Sequence, residues 1–397
     1  MTAPQKLRLL TFSTLFPNAA SPHHGVFVEN RLRHLLASGE AESRVIAPVP
    51  WFPSANPRFG AYAAHAAAPR HEERYGVDID HPRYPLIPRI GMSAAPILLY
   101  LWALPAVRRL LRTGYDFDLI DAHYFYPDGV AAALIARRLG KPLTITARGT
   151  DINLIPAHTL PRRQILWAAD RADGMITVCQ ALKDEMVGLG IAGDRITVLR
   201  NGVDLGLFRL QDRSALRARY GLEGPTLISV GHLIERKAHH LVIEALPHLP
   251  GFRLLIAGEG PEEQALRALA DRLGVADRVG FLGRRPHGEL PDLYGAADIL
   301  VLASSREGWA NVLLEAMACG TPVVASNVWG TPEVVAAPEA GRLMRERSGA
   351  AIAEGVKDLF AVLPDRAATR KYAEGFSWDA TTEGQLDLFR SILARRA

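Results

Sequence analysis

The stretch that most limits the folds open to this chain is ILVLASSREGWANVLLEAMACGTPVVAS, residues 299–326. Residues 299–303 form an unbroken apolar run, the pattern of a parallel strand covered on both faces. Ser304, Ser305, Arg306, Glu307 and Gly308 break it. From Asn311 onward Val312, Leu313, Ala316 and Met317 recur at helical spacing, Gly320 stops the helix, and residues 322–325 begin a second strand. A strand-loop-helix turn of this kind aims unpaired backbone N–H groups and the positive end of a helix dipole at the C-terminal edge of a sheet, which makes an anion site. Glu307 stands just before the helix and Glu315 about two turns further on. A nucleotide sugar offers the matching groups, a diphosphate for the N–H donors and hydroxyls for the two carboxylates. A helix-terminal charge at Glu307 and a solvated Glu315 is the plainer alternative. Leu313, Leu314, Ala316 and Met317 bracket Glu315, however, and an idle carboxylate there would be costly.

At 397 residues the chain is too long for one ordinary core, so two domains of about 150–200 residues are expected. Apolar residues at 48% and charged residues at 22% exclude a disordered or fibrous chain. The formal charge of +4 is unevenly spread, with 23 Lys plus Arg against 18 Asp plus Glu through residue 205 and 23 against 24 beyond it. That early excess reads either as attraction to an anionic membrane or phosphorylated acceptor, or as solvated arginine in an Arg-rich composition. It is slight and has no aromatic stacking platform beside it, which argues against nucleic acid as a partner. Cys179 and Cys319 adjoin apolar residues without CxxC spacing and read as buried thiols of a reducing compartment. The start, MTAPQKLRLLTFS, has too short an apolar core for a secretory signal, and a cytoplasmic location is expected.

Residues 7–11 and 44–47 read as strands on either side of a loop at 13–25, with Pro17, Asn18, Pro22 and Gly25 as turn residues, and a helix. Val26, Phe27, Leu32, Leu35 and Leu36 form the apolar face of that helix, and Glu29, Asn30, Arg31 and Arg33 its other side. Residues 50–92 lack clear periodicity and read as a long insertion around a short strand at 77–83. His65, His71 and His81 there have no metal-ligand spacing and read as surface residues, and no metal is expected. The 14-residue apolar run AAPILLYLWALPAV at 94–107 is too short to span a bilayer. With Tyr100 and Trp102 as anchors and Arg108, Arg109 and Arg112 behind them, it reads as an interfacial helix or as a buried connecting helix. Its lack of a clean polar face favours burial.

Strands at 117–122, 142–147 and 174–178 alternate with helices at 129–139, 160–169 and 181–189, the mark of a doubly wound sheet. The strand ends carry His123, Tyr124 and Asp128, then Arg148, Gly149, Thr150 and Asp151, where such sheets place their ligands. A strand at 196–199 runs into the Asn201-Gly202 turn, and the domain boundary falls just beyond. A second sheet opens at 226–230 and leads through Gly231 to Arg236 and Lys237 at a helix entry. These two fit a diphosphate clamp, one as a fork and one as a point charge, or an ordinary solvated pair. The Gly258-Glu259-Gly260 turn lacks the third glycine of a dinucleotide fingerprint, which argues against NAD. Helices fill 348–375, and Ser377, Trp378 and Asp379 open a last one with Leu386, Leu388, Phe389 and Leu393 as its apolar face.

Glu307, seven intervening residues, Glu315 and the following AMACGTPVVAS resemble the donor-binding signature of retaining GT-B glycosyltransferases of family 4. The likeness extends to GHLIERKAHHLVIEAL at 231–246, LLIAGEGPEEQALRALA at 254–270 and GFLGRRPHGELPDLYGAADI at 280–299. The resemblance implies an α/β GT-B fold of two Rossmann-like doubly wound domains with a deep interdomain cleft. The acceptor-binding domain would be 1–205, joined by a helix at 378–397 that crosses back, and the donor-binding domain 206–377.

It also implies a hexosyltransferase that retains anomeric configuration and needs neither metal nor cofactor. Arg236, Lys237 and the N–H groups after Glu307, over Gly308, Trp309, Ala310, Asn311 and Val312, would stabilise the leaving diphosphate. Glu307 would hold sugar hydroxyls, Glu315 the ribose, and His123 and Asp151 the sugar from the other domain. Gly231 and Gly258 would close on the nucleotide, Leu282 and Arg285 would line the base pocket, and Asn201 would lie near the phosphates. The family's paired glycines of the first loop are His24 and Gly25 here, and Arg148 replaces the histidine of its His-Gly-x-Asp pattern. The opening segment TFSTLFPNAASPHHGVFVENRLRHL resembles transferases of bacterial extracellular polysaccharide assembly and those of teichuronic-acid type. The implied partners are a nucleotide-sugar donor, a glycan or polyprenyl-linked acceptor and an anionic membrane face, with no obligate protein partner. An epimerase or phosphorylase working on the same ligand, or a nucleotide-sugar binder without catalysis, are the alternatives.

Overall fold

The computed structural model describes residues 6–86 and 91–396. Residues 1–5 of the opening segment weighed for a signal, residues 87–90 of the expected insertion and residue 397 of the helix expected at 378–397 lie outside them. The chain divides into two compact units, Met1–Arg200 with Asp379–Ala397, and Asn201–Trp378.

The first unit is built on β1 (Leu7–Phe12), β2 (Ala41–Ile46), β3 (Val49–Pro50), β4 (His71–Arg74), β5 (Val77–Asp80), β6 (Arg83–Tyr84), β7 (Leu119–His123), β8 (Leu143–Ala147), β9 (Gly174–Thr177) and β10 (Ile196–Val198). Eight of them pair as β10-β9-β8-β7-β1-β2-β5-β4, parallel except for β4, while β3 and β6 form a small parallel pair. The direction of winding reverses between β1 and β7, so the loops after these two strands open the crevice where doubly wound sheets receive ligands. Every residue of β7 and β8 is buried, the polar Asp121, His123, Thr144 and Thr146 among them.

The insertion is more ordered than its composition suggests. Its β5 pairs with β2 inside the main sheet, and His81 is buried rather than a surface residue. The His81 Nδ1 lies 2.9 Å from the Ala47 carbonyl and Nε2 2.8 Å from Glu72. Arg31, expected on the polar side of its helix, is also buried; it donates to Gln385 Oε1 at 2.9 Å and to the Leu199 carbonyl at 3.1 Å. The Trp378–Ala394 helix sends Leu386, Phe389 and Ile392 into a cluster with Leu9, Leu35 and Leu119. Burial of side chains this size stabilises by about 1.5–3 kcal/mol each, which ties the end of the chain to the first unit.

The apolar run at 94–107 lies in a single 22-residue helix, Gly91–Arg112, that runs through Pro96 and Pro105. By length and composition it could cross a membrane, and 39% of its most apolar window is buried. Ala95, Leu99, Ala103 and Val107 pack inward, but Ile97 and Leu101 are each 50% exposed. The expectation of a buried connector therefore holds for one face only.

In the second unit β11 (Thr226–Val230), β12 (Arg253–Ala257), β13 (Val279–Gly283), β14 (Ile299–Leu302), β15 (Val323–Ser326) and β16 (Gly341–Met344) pair in the order β13-β12-β11-β14-β15-β16, all parallel. The order reverses between β11 and β14, placing the loops after these strands at the switch point. Leu254, Ile256, Ile299, Val301 and Val324 pack with Val242, Ile243, Ile352 and Val356 from flanking helices into one core.

Candidate functional site

In the second unit the two loops at the switch point are fastened to each other. The Ser305 N–H donates to the Arg236 carbonyl at 2.9 Å, and the Arg236 guanidinium donates to the Arg306 carbonyl at the same distance. Lys237 Nζ sits 2.5 Å from Glu307 Oε1, with Arg236 3.6 Å from Oε2. Burial would raise the Glu307 carboxyl, but Lys237, the Ser304 hydroxyl and Arg236 outweigh it and hold the group below its ordinary value. Glu307 is thus an ionised acceptor, unsuited to proton donation. Directly after Lys237 the chain passes through Ala238 in a left-handed conformation, φ 53°, which a non-glycine residue adopts only when its surroundings impose it. That turn starts the His239–Ala245 helix and leaves both cations at the strand end.

The Asn311–Ala318 helix begins at the same mouth, and its first N–H groups lie outside the intrahelical ladder. Gly308, Ala310 and Val312 contribute backbone here. Trp309 turns its indole inward and donates to the Asn201 carbonyl at 3.0 Å, and the Asn201 amide reaches Asn311 Oδ1 at 3.4 Å. Asn201 is therefore joined to the helix mouth, as a brace for its backbone. Glu315 is 9% exposed; it accepts from the Tyr294 hydroxyl at 3.0 Å and lies 3.2 Å from His287 Nε2. The hydrogen bond to Glu315 raises the His287 pKa, while burial and the Glu315 charge push the Tyr294 phenol well up. A carboxylate has about four lone-pair sites, so Glu315 retains acceptor capacity for a ligand hydroxyl.

The ends of β11, β12 and β13 close on one another. The Gly231 N–H donates to the Ala257 carbonyl at 3.0 Å and the Gly258 N–H to the Gly283 carbonyl at 2.9 Å. A Cβ on Gly258 would fall 1.9 Å from the Gly231 oxygen, so no other residue fits there. Leu282 lies at the end of β13, two strands from β11, and Arg285 beyond it is exposed and 3.5 Å from Glu289. These two stand apart from the Lys237–Glu307 group.

The first unit has a different arrangement at its switch point. Gly25 takes φ 72° and its missing Cβ would fall 2.2 Å from the Leu15 backbone, so glycine is required to bring the loop and the Val26–Ala37 helix together. His123 is 1% exposed. Its Nε2 is 3.1 Å from Asp121 and its Nδ1 2.6 Å from an Arg148 nitrogen. An arginine can only donate and an ionised carboxylate only accept, so the ring must be neutral with its proton on Nε2. Burial, chiefly, and the nearby Arg148 charge lower the His123 pKa, in agreement with that state. Burial alone would raise Asp121, but His123, Arg31 and the Thr144 hydroxyl at 3.0 Å bring it below its ordinary value. Burial lowers Arg148 to about 9 and Arg31 to about 10.

Asp151 is fully buried and accepts from the backbone N–H groups of Phe125 at 2.6 Å, Gly149 at 2.7 Å and Arg148 at 3.1 Å. Its structural work is to hold the loops after β7 and β8. Asp128 does the same for the loop after β1, accepting from the Thr14 N–H and, at 3.0 Å, from the Thr14 hydroxyl; burial pushes it up to about 7. Sequence reasoning did not single out Asp121, Arg31, Tyr294 or His287. Asp121 was detectable, because residues two apart on a strand share a face with each other, here with His123.

Residues 212–376 match the family model of Glycosyl transferases group 1, and residues 26–207 that of Glycosyltransferase Family 4. A D-inositol 3-phosphate glycosyltransferase of Mycobacteroides abscessus is 34% identical over 311 residues, covering 71% of this chain and 67% of that protein. A protein of the same name from Mycobacterium tuberculosis is 33% identical over 307 residues, 70% of this chain and 62% of its own length. Among solved structures, sucrose-phosphate synthase from Thermosynechococcus elongatus matches with a TM-score of 0.78 at 20% identity, over 98% of this chain and 100% of that one. Anabaena HepE in complex with UDP matches with a TM-score of 0.73 at 22% identity, over 98% and 100%. These likenesses show the GT-B fold.

Proposed function

The chain belongs to the family 4 glycosyltransferases, and we propose that it moves a hexose from a nucleoside diphosphate sugar to an acceptor hydroxyl with retention of configuration. The observation that carries this reading is the Lys237–Glu307–Arg236 group at the switch point, beside the N-terminus of the Asn311–Ala318 helix. The diphosphate would lie against Lys237, Arg236 and the N–H groups over 308–312. The ribose would lie against Glu315, and the transferred sugar against Glu307.

In the transfer, the bond from the anomeric carbon to the phosphate oxygen breaks, and one to the acceptor oxygen forms on the same face. The acceptor proton passes to the departing diphosphate. Charge grows on that diphosphate, and fixed cations already in place stabilise it without reorganisation. Glu307, ionised and paired with Lys237, serves as an acceptor for sugar hydroxyls rather than as an acid. No metal enters this scheme.

For the acceptor we favour a glycan carried on a polyprenyl phosphate, at the cytoplasmic face of the membrane, in assembly of a cell-surface polysaccharide. The exposed apolar face of the Gly91–Arg112 helix and the basic excess of the first half support it. Inositol 3-phosphate, for which the mycobacterial relatives are named, is the rival acceptor. The deciding experiment is thermal stabilisation by UDP, GDP and ADP sugars, with Glu315→Ala alongside, followed by product analysis with and without each acceptor. A shift with one nucleotide class, lost in the variant, is expected. No shift with any donor removes this reading, and turnover of the donor without an acceptor points to an epimerase or phosphorylase.

A further inference from the structure

His287 and Tyr294 stand on one continuous helical stretch, in which the short turn His287–Glu289 runs directly into the Leu290–Ala296 helix. Their separation is about two turns, so both side chains leave the same face. Both reach Glu315. The Tyr294 hydroxyl donates to Oε2 at 3.0 Å, and His287 Nε2 lies 3.2 Å from Oε1. Phe208 packs against both rings, its centroid 5.1 Å from that of His287 at 75° and 6.1 Å from that of Tyr294 at 49°. Glu315 is therefore held at each of its oxygens, and each oxygen keeps a lone pair for a ligand hydroxyl.

The two donors differ in what else they can do. Tyr294 is fully buried, so its hydroxyl serves Glu315 alone, whereas the His287 side chain is 39% exposed. A carboxylate oxygen accepts, so Nε2 of His287 carries a proton. Imidazole nitrogens point to opposite sides of the ring, which turns Nδ1 away from Glu315. The charges acting on the ring are Glu315 and Asp204, both acidic, while Arg285 and Glu289 beside it in the chain pair with each other at 3.5 Å. The hydrogen bond to Glu315, first, and these two charges favour the doubly protonated ring against the opposing effect of burial. In that state Nδ1 becomes a second donor at the open edge of the site. A hydroxyl that donates to a carboxylate still has oxygen lone pairs, and a neighbouring hydroxyl has its own. An acceptor and a donor side by side match a vicinal diol.

We propose that His287 is a second ribose-recognition residue beside Glu315, donating to one hydroxyl of the 2′,3′-diol while Glu315 accepts from the diol, and so selecting ribonucleotide over deoxyribonucleotide donors. This assignment rests on the reading of Glu315 as the ribose site, and it adds the residue that reads the oxygen rather than the proton of a hydroxyl.

The test is calorimetric titration of the full chain with UDP-, GDP- and ADP-glucose and, for the one bound most tightly, with its 2′-deoxy and 3′-deoxy forms, at about pH 6 and about pH 8. Nucleotide sugars carry no group that titrates between those values, so a pH effect belongs to the protein. The wild type is expected to prefer the ribonucleotide by about tenfold or more, and to bind it more tightly at the lower pH. His287→Phe keeps a ring against Phe208 but has no donor; it is expected to weaken ribonucleotide binding by about tenfold, to leave the deoxy forms nearly unchanged and to abolish the pH effect. His287→Gln restores a donor without a titrating group and is expected to recover discrimination with no pH effect. Wild-type affinity and discrimination in His287→Phe, with binding lost in Glu315→Ala, overturn this assignment and leave the Glu315 reading standing. Equal weakening of ribo and deoxy forms in His287→Phe also overturns it, since that is the mark of a merely structural ring. No binding of any nucleotide sugar by the wild type removes both.

Discussion

The two units place polar groups at the same topological position, the reversal of strand order, and use them differently. In the second unit Lys237, Arg236 and Glu307 stand in the mouth of a helix, paired but with side chains 16%, 37% and 9% exposed. In the first unit Arg31, Asp121, His123 and Asp151 are each at most 1% exposed, and their partners are inside the protein. One set stands partly open at a helix mouth. The other is closed inside the protein, where Asp151 holds the loops after β7 and β8 and one Arg31 nitrogen is buried without a hydrogen-bond partner. A charged side chain at the C-terminal end of a parallel strand therefore marks a crevice without saying whether it touches what enters.

This contrast predicts which variants lose stability and which lose chemistry. Asp121→Ala removes the carboxylate that balances Arg31 and orients His123, and should cost about 3–5 kcal/mol in urea unfolding. If instead it unfolds like the wild type yet loses turnover, the first unit's network is a ligand site and the contrast fails. Lys237→Ala should lower turnover by about 2–4 kcal/mol of transition-state stabilisation while donor-induced thermal shifts persist; full activity in that variant would remove the clamp. Tyr294→Phe deprives buried Glu315 of a donor and should weaken donor binding by about 1–2 kcal/mol, read by calorimetry, with little change in turnover at saturation.

The smallest effect concerns Asp128. Its folded-state pKa of about 7 lies above the ordinary 3.8, so the protonated carboxyl favours folding fully below pH 3.8. That contribution is lost as pH rises through about 7. The melting temperature of the wild type relative to Asp128→Asn should accordingly fall between pH 4 and pH 7, and parallel curves would show that the carboxyl does not titrate there.

Much of the fold was legible before any coordinates. Unbroken apolar runs such as 299–303, alternating with helical periodicity, imply parallel strands covered on both faces, and the structure has them. The placing of Glu307, Glu315, Arg236 and Lys237 was legible too, because they sit at positions that strand and helix ends define locally, and the structure brings Glu307, Arg236 and Lys237 together. Less legible was anything whose partner is distant in sequence. Tyr294 and His287 meet Glu315 from across 21 and 28 residues, and Arg31 meets Gln385 from across 354. The insertion looked irregular because β5 is only four residues long and owes its place to pairing with β2.

By itself, then, the sequence determined where strands, helices and their ends fall, since periodicity and turn chemistry are local properties. It also determined the family, through motifs that keep their order. Only the tertiary structure decided which charges are closed inside the protein and which stay open to solvent. Arg31 and Arg70 look alike in the chain; folding buries one against Gln385 and leaves the other exposed at a cavity, because burial and pairing depend on neighbours brought together from far apart.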